Sequence, residues 1–266
     1  MDIKKLAVEK HQEWHGKIEI VSRCRVTNGE ELSIAYTPGV AQPCLEIEKN
    51  PERSFELTRR SNLVAVISDG TAVLGLGDIG PEAAMPVMEG KAVLLKEFGG
   101  VDAVPLCLDS KDVDELVRAI EMLAPSFGGI NLEDISAPRC FEVEKRLKEK
   151  LSIPVFHDDQ HGTAIVVSAG LINALKLVDK RFEDVTIVVN GAGAAGIAIA
   201  KHLLSFGAGN VILCDKGGIV YDGAPYINEA QQKMTAVTNK KNQTGTLIDA
   251  MKGADIFIGV SRPDMV

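Results

Sequence analysis

Apolar residues in this chain gather in short continuous runs, separated by longer stretches in which they recur at helical spacing. Runs at 63–68, 101–108, 130–132, 153–156, 185–189, 211–214 and 256–260 are rich in aliphatic residues and predict strands. The stretches at 81–98, 111–123, 140–150, 163–177, 194–206 and 247–253 predict helices. Strands that are apolar on both faces and alternate with helices belong to parallel sheets covered on both sides. The expectation is therefore an α/β protein with largely parallel sheets. No repeat of solenoid period and no low-complexity tract interrupts the alternation.

The helix at 163–177 is followed by a polar stretch at 179–184, and a new strand–helix–strand unit opens at Val185. A boundary is expected near 154–161, giving domains 1–156 and 157–266. Each would be large enough for its own core.

Two Gly-x-Gly-x-x-Gly patterns occur, at Gly75-Leu76-Gly77-Asp78-Ile79-Gly80 and at Gly191-Ala192-Gly193-Ala194-Ala195-Gly196. Context separates them. The second follows a strand-like run and opens a helix, and the next strand ends in Asp215, 24 residues after Gly191. Each part suits a dinucleotide: a tight turn at Gly191, close backbone approach at Gly193, and helix–strand packing at Gly196. The helix N-terminus faces the pyrophosphate, and Asp215 accepts hydrogen bonds from ribose hydroxyls. The second domain is thus expected to be a Rossmann-type NAD(P)-binding domain. A carboxylate at 215 favours NAD over NADP, and Lys216 beside it softens that preference. In the first pattern Pro81 follows at once and the next strand-like run ends too far on, at Asp109. Its glycines read as shaping a loop, either a plain turn or one approached by another ligand.

Two acidic pairs, Glu133-Asp134 and Asp158-Asp159, each follow a short apolar run. Ligands of parallel α/β sheets gather beyond the carboxyl ends of strands. Carboxylates grouped there call for a hard divalent cation, Mg²⁺ or Mn²⁺. Taken alone, Glu133-Asp134 also reads as a solvated loop, with Asp134 capping the following helix. His157 and His161 flank the second pair. Without a thiolate or third histidine beside them they read as orienting or packing residues rather than zinc ligands.

The chain has 266 residues and a formal net charge of −8, with no clustered basic stretch. Nucleic acid and anionic membrane are therefore not expected partners. The five cysteines are scattered, with no Cys-x-x-Cys pair, which fits reduced thiols and a cytoplasmic location. No apolar run follows the opening Met-Asp-Ile-Lys-Lys, so no secretory leader is expected.

Six segments together resemble, in order and spacing, the motifs of malic enzymes. They are Tyr36-Thr37-Pro38-Gly39-Val40-Ala41, Ser68-Asp69-Gly70-Thr71, the first glycine pattern, Glu89-Gly90-Lys91, Asn131-Leu132-Glu133-Asp134 and His157-Asp158-Asp159-Gln160-His161-Gly162-Thr163-Ala164. The similarity covers essentially the whole chain and is closest to the small bacterial branch. It implies oxidation of malate, decarboxylation, and release of pyruvate, CO₂ and reduced cofactor. It implies Lys91 as general base at the C2 hydroxyl and Tyr36 as the acid that protonates C3. Glu133, Asp134 and Asp159 become metal ligands, and Asp158 a neighbour that positions or tunes the lysine. The resemblance also implies a homodimer. Oxaloacetate decarboxylation by the same machinery, and a non-catalytic nucleotide-binding module, remain alternatives. Two departures stand out. The larger eukaryotic branch has an arginine soon after the Asp-Gly pair, where this chain reads Thr71-Ala72. The nucleotide domain is also expected to be C-terminally incomplete, with half of a doubly wound sheet written by Val266.

Overall fold

The structure, a computed structural model, describes residues 2–73 and 75–261. The chain opens with four helices, α1 (Ile3–Trp14), α2 (Gly29–Ala35), α3 (Ala41–Lys49) and α4 (Ser54–Leu57). It continues through β1 (Leu63–Ser68), α5 (Pro81–Gly99), β2 (Asp102–Cys107), α6 (Val113–Leu123), β3 (Gly129–Leu132), α7 (Arg139–Lys150) and β4 (Val155–His157). Then follow α8 (Asp158–Leu177), β5 (Thr186–Asn190), α9 (Ala194–Ser205), β6 (Asn210–Asp215), β7 (Gly218–Ile219), α10 (Glu229–Thr235), α11 (Leu247–Met251) and β8 (Ile256–Gly259). Two compact units result. The first holds the residues through Ile135 together with Lys145–Val155, and the second holds Ser136–Glu144 and the residues from Phe156 on.

In the first unit β1 lies between β2 and β3 and runs parallel to both. Ala65, Val66 and Ile67 in β1 and Ile130 and Leu132 in β3 are buried. α5 presents Ala84, Met88 and Ala92 to this core, an i, i+4, i+8 stripe. α6 presents Leu116, Val117 and Ile120, and its start is capped by the Asp112 side chain, which accepts from Glu115 N–H. By contrast, no residue from 2 to 64 is buried. The hydrophobic pattern did not predict α1–α4, because without a buried face they show no core-facing period.

The second unit contains the sheet β7-β6-β5-β8, with β5 parallel to β6 and β8. Alternate residues of its strands enter two separate cores. Ile187, Val189, Val211 and Leu213 pack with Ile197, Ile199 and Leu203 of α9, while Val188, Ile212, Cys214 and Ile219 pack with Ala250 of α11. A sheet covered on both faces explains why β5 and β6 read as unbroken apolar runs. The expected α/β class with parallel sheets is what the chain adopts. The two-residue β7, antiparallel to β6, is too short to leave a sequence signal.

Two local expectations change. The helix expected from Thr163 begins at Asp158, so the second acidic pair lies inside its first turn, where carboxylates complement the N-terminal end of the helix dipole. Asp134 does not stand at the position directly before α7. It takes a left-handed backbone conformation (φ 54°) five residues before Arg139. No helix among the described residues is long and apolar enough to cross a membrane.

Candidate active site

In the first unit the site starts where β3 ends. Glu133 N–H extends the ladder by donating to Ile67 O at 2.8 Å. Asp134 then turns left-handed, and its carbonyl accepts from Ala72 N–H at 3.0 Å, joining the loop after β1 to the loop after β3. Both acids are nearly inaccessible, at 5% and 3% exposure. The Glu133 carboxylate accepts from Asn131 Nδ2 at 2.9 Å, and Lys91 Nζ lies 3.3 Å from its other oxygen. Lys91 sits one turn beyond Met88, at the margin of the buried stripe of α5, so the helix that packs the core also delivers the ammonium to the strand end.

The loop after β1 is tied to itself. Asp69 Oδ1 accepts from Thr71 N–H and Thr71 Oγ1, at 3.1 and 2.6 Å. The first glycine pattern forms the return of this loop. Ile79 and Gly80 N–H donate to Gly70 O, and a side chain at Gly70 would strike Gly80 O at 2.2 Å. Pro81, which argued against a dinucleotide fingerprint, occupies the first turn of α5. Tyr36 stands at the end of α2, 67% exposed. The geometry of the first unit therefore unites Lys91 with Glu133 and leaves Tyr36 on the surface.

In the second unit the site starts at β4. His157 is fully buried, and burial pushes its imidazole below its ordinary pKa, although Asp159 and Glu144 pull the other way. Its Nε2 lies 3.8 Å from Asp159 Oδ2. Gly162 makes room for Asp158, because a Cβ there would lie 2.5 Å from Asp158 Oδ1. His161 Nε2 meets Glu144 Oε1 at 2.7 Å, and Gln160 Nε2 donates to Glu144 Oε2 at 3.3 Å. Glu144 thus holds two residues of the α8 start. One acid among the charges of α7 gave no sequence signal for that role.

The glycine loop between β5 and α9 has the backbone of an anion cradle. Gly191 is left-handed (φ 116°), and a Cβ there would come within 2.9 Å of Val260. A Cβ on Gly196 would sit 1.8 Å from Gly191 O, whereas Gly193 faces open space. Ala192 is buried in the core, and Ala194 and Ala195 begin α9 with no side chain capping its N–H groups. Those groups can turn to a phosphate. Asp215 ends β6 with both oxygens held: Oδ1 accepts from Lys216 N–H at 2.8 Å and Oδ2 from Gln231 Nε2 at 2.5 Å. Gln231 escaped the sequence reading because a glutamine in a polar stretch carries no periodic or motif signal.

Comparison with known proteins bears on both units. Residues 15–148 match the family described as malic enzyme, N-terminal domain, and residues 160–264 match malic enzyme, NAD binding domain. An NAD-dependent malic enzyme of Geobacillus stearothermophilus is 58% identical over 251 residues, covering 94% of this chain and 52% of its own length. A bifunctional malic/malolactic enzyme of Bacillus subtilis is 52% identical over 262 residues, 98% of this chain and 64% of its own. The crystal structure of an NAD-dependent malic enzyme from Thermotoga maritima superposes with a TM-score of 0.95 at 49% identity, covering 98% of this chain and 70% of that one. The chain thus spans between half and two-thirds of the length of these two curated relatives.

Proposed function

The chain belongs to the malic enzyme family, and from that premise we propose that its protein converts malate to pyruvate and CO₂ while reducing NAD in preference to NADP. The observation that carries this reading is the pairing of Lys91 with the buried Glu133 at the end of β3. A lysine ammonium that leaves its helix surface for a buried strand end is held for chemistry more than for solubility. In the proposed reaction Lys91 acts as its neutral amine, after its ammonium has given a proton to solvent: Nζ accepts the proton of the C2 hydroxyl as hydride leaves C2 for the nicotinamide. The C4 carboxylate departs as CO₂, and its bonding electrons form the C2–C3 enolate. Tyr36 then protonates C3 to give pyruvate. Asp158 keeps the positioning role that the resemblance assigns it.

A divalent cation fits the donor chemistry. Glu133 and Asp134 of the first unit and Asp159 of the second are the acids that the family resemblance assigns to it. They offer oxygen only, the preference of Mg²⁺ and Mn²⁺. Two of them, Glu133 and Asp134, are buried neighbours, with Lys91 beside the first. The ion would supply Lewis acidity toward the C2 oxygen. The second unit would hold the nicotinamide cofactor, the hydride acceptor. Its pyrophosphate would lie at Gly191, Ala192, Gly193, Ala194, Ala195 and Gly196, and its ribose at Asp215.

Chelation should stop malate turnover and Mn²⁺ should restore it. Asp134→Asn should raise the Mn²⁺ requirement without unfolding the protein, because asparagine tolerates the left-handed backbone at this position. Turnover indifferent to a chelator would overturn the metal assignment. Two further parts of the reading concern the whole protein. The exposed apolar residues of the N-terminal segment, among them Ile3, Val8, Trp14, Ile20, Val21 and Ile34, support a homodimer that covers them. Five free thiols support a cytoplasmic location.

A further inference from the structure

Gln231 lies in the first turn of α10, 3% exposed, and its side-chain amide makes three contacts. Oε1 accepts from Asn228 N–H at 3.0 Å, completing a capping box in which Asn228 Oδ1 accepts from Gln231 N–H. Nε2 donates to Ala192 O at 3.0 Å and to Asp215 Oδ2 at 2.5 Å. The orientation of the amide is fixed by chemistry. A backbone donor lies on one side and two oxygens lie on the other, so a flipped amide would oppose like groups at every contact. Both Nε2 hydrogens are thereby used, one on the glycine loop and one on the acid at the end of β6.

We propose that Gln231 is a positioning residue of the nucleotide site, bridging Ala192 of the glycine loop and Asp215 and so setting the preference for a cofactor with a free 2′-hydroxyl. The inference rests on the reading of the glycine loop and Asp215 as that site. The two points joined belong to different strand–helix connections, one expected to meet the pyrophosphate and the other the ribose. A neutral, buried amide between them fixes their separation. It also holds the Asp215 carboxylate with one oxygen on Lys216 N–H and one on Gln231, leaving lone pairs on both for ribose hydroxyls. Without the bridge the carboxylate can rotate away, and its repulsion of a 2′-phosphate weakens.

Gln231→Glu tests this directly. Glutamate still accepts from Asn228 N–H and preserves the capping box, but it presents an acceptor to Ala192 O and a second negative charge to Asp215. Gln231→Met supplies a neutral variant of similar length with no donor. Affinities for NAD and NADP are measured on the full-length protein by titration calorimetry, beside the wild type and Asp215→Asn. The expected result for both Gln231 variants is NAD affinity weaker by about 10-fold or more, as for loss of a hydrogen bond to a charged group. The ratio of NAD to NADP affinity should shrink in Gln231→Met, where Asp215 is released with no new charge beside it, and not in Gln231→Glu, whose added carboxylate also repels a 2′-phosphate. The double variant Gln231→Met with Asp215→Asn should lose less than the sum of the two single losses. Malate kcat at saturating NAD should stay near wild type while KM for NAD rises. Unchanged NAD affinity in Gln231→Glu, or additive losses in the double variant, overturns the inference. Failure of the wild type to bind either nucleotide overturns the site reading itself, and the inference with it.

Discussion

Lys91 and Glu133 show how one residue pair can bear the chemical claim. Lys91→Ala is expected to lower malate kcat by about 10²- to 10⁴-fold, the usual contribution of a positioned general base. The far-ultraviolet circular dichroism should be unchanged, since Lys91 only borders the buried stripe of α5. Steady-state kinetics check the first part, and a kcat within threefold of wild type would remove Lys91 from the mechanism. Among the thiols, burial pushes Cys140 and Cys214 up to about 12 from an ordinary 9.0. In the folded protein they keep their protons where the unfolded chain would release them. Their stabilising contribution is therefore complete below pH 9 and is lost as pH rises toward 12. Guanidinium unfolding at pH 8 and at pH 10.5 should show lower stability at the higher pH. Labelling at pH 8 should modify the exposed Cys24 and Cys44 well before Cys140 and Cys214. At this scale the sequence was legible wherever residues lie in contiguous motifs, as at Asp158-Asp159 and in the second glycine pattern. It was silent on Glu144 and Gln231, whose importance arises from partners 17 and 39 residues away.

At the scale of elements, the turn from β5 into α9 is built by absent side chains. Gly196→Ala would place a methyl group 1.8 Å from Gly191 O, and neither β5 nor α9 can yield without disturbing Ile187, Val189 and Ile199 in the core. The substitution is expected to destabilise the protein by about 1–3 kcal/mol, typical of overpacking, and to weaken NAD binding. Chemical denaturation beside calorimetry checks both, and an unchanged midpoint would show that the loop relaxes cheaply. The strands were readable because burial on both faces makes them continuous apolar runs. The start of α8 was not, because Asp158, Asp159, Gln160 and Gly162 look like a loop by propensity. They become helical through their acids at the N-terminal end and through the Glu144 contacts that hold Gln160 and His161.

At the scale of the molecule, residues 2–64 contain no buried side chain yet hold the exposed Tyr36 assigned as the acid. A homodimer that covers this segment is expected in solution, and light scattering should give twice the chain mass. Charge placed on the segment, as in Ile20→Asp with Val21→Asp, should shift the protein toward monomer, and a wild-type monomer would contradict the proposed pairing. The central claim concerns chemistry, and one measurement reaches it most directly. The full-length protein is supplied with malate, NAD and Mn²⁺, and NADH and pyruvate are followed together. They are expected to form in equal amounts, with Lys91→Ala forming neither. Pyruvate produced from oxaloacetate without NADH from malate would contradict it.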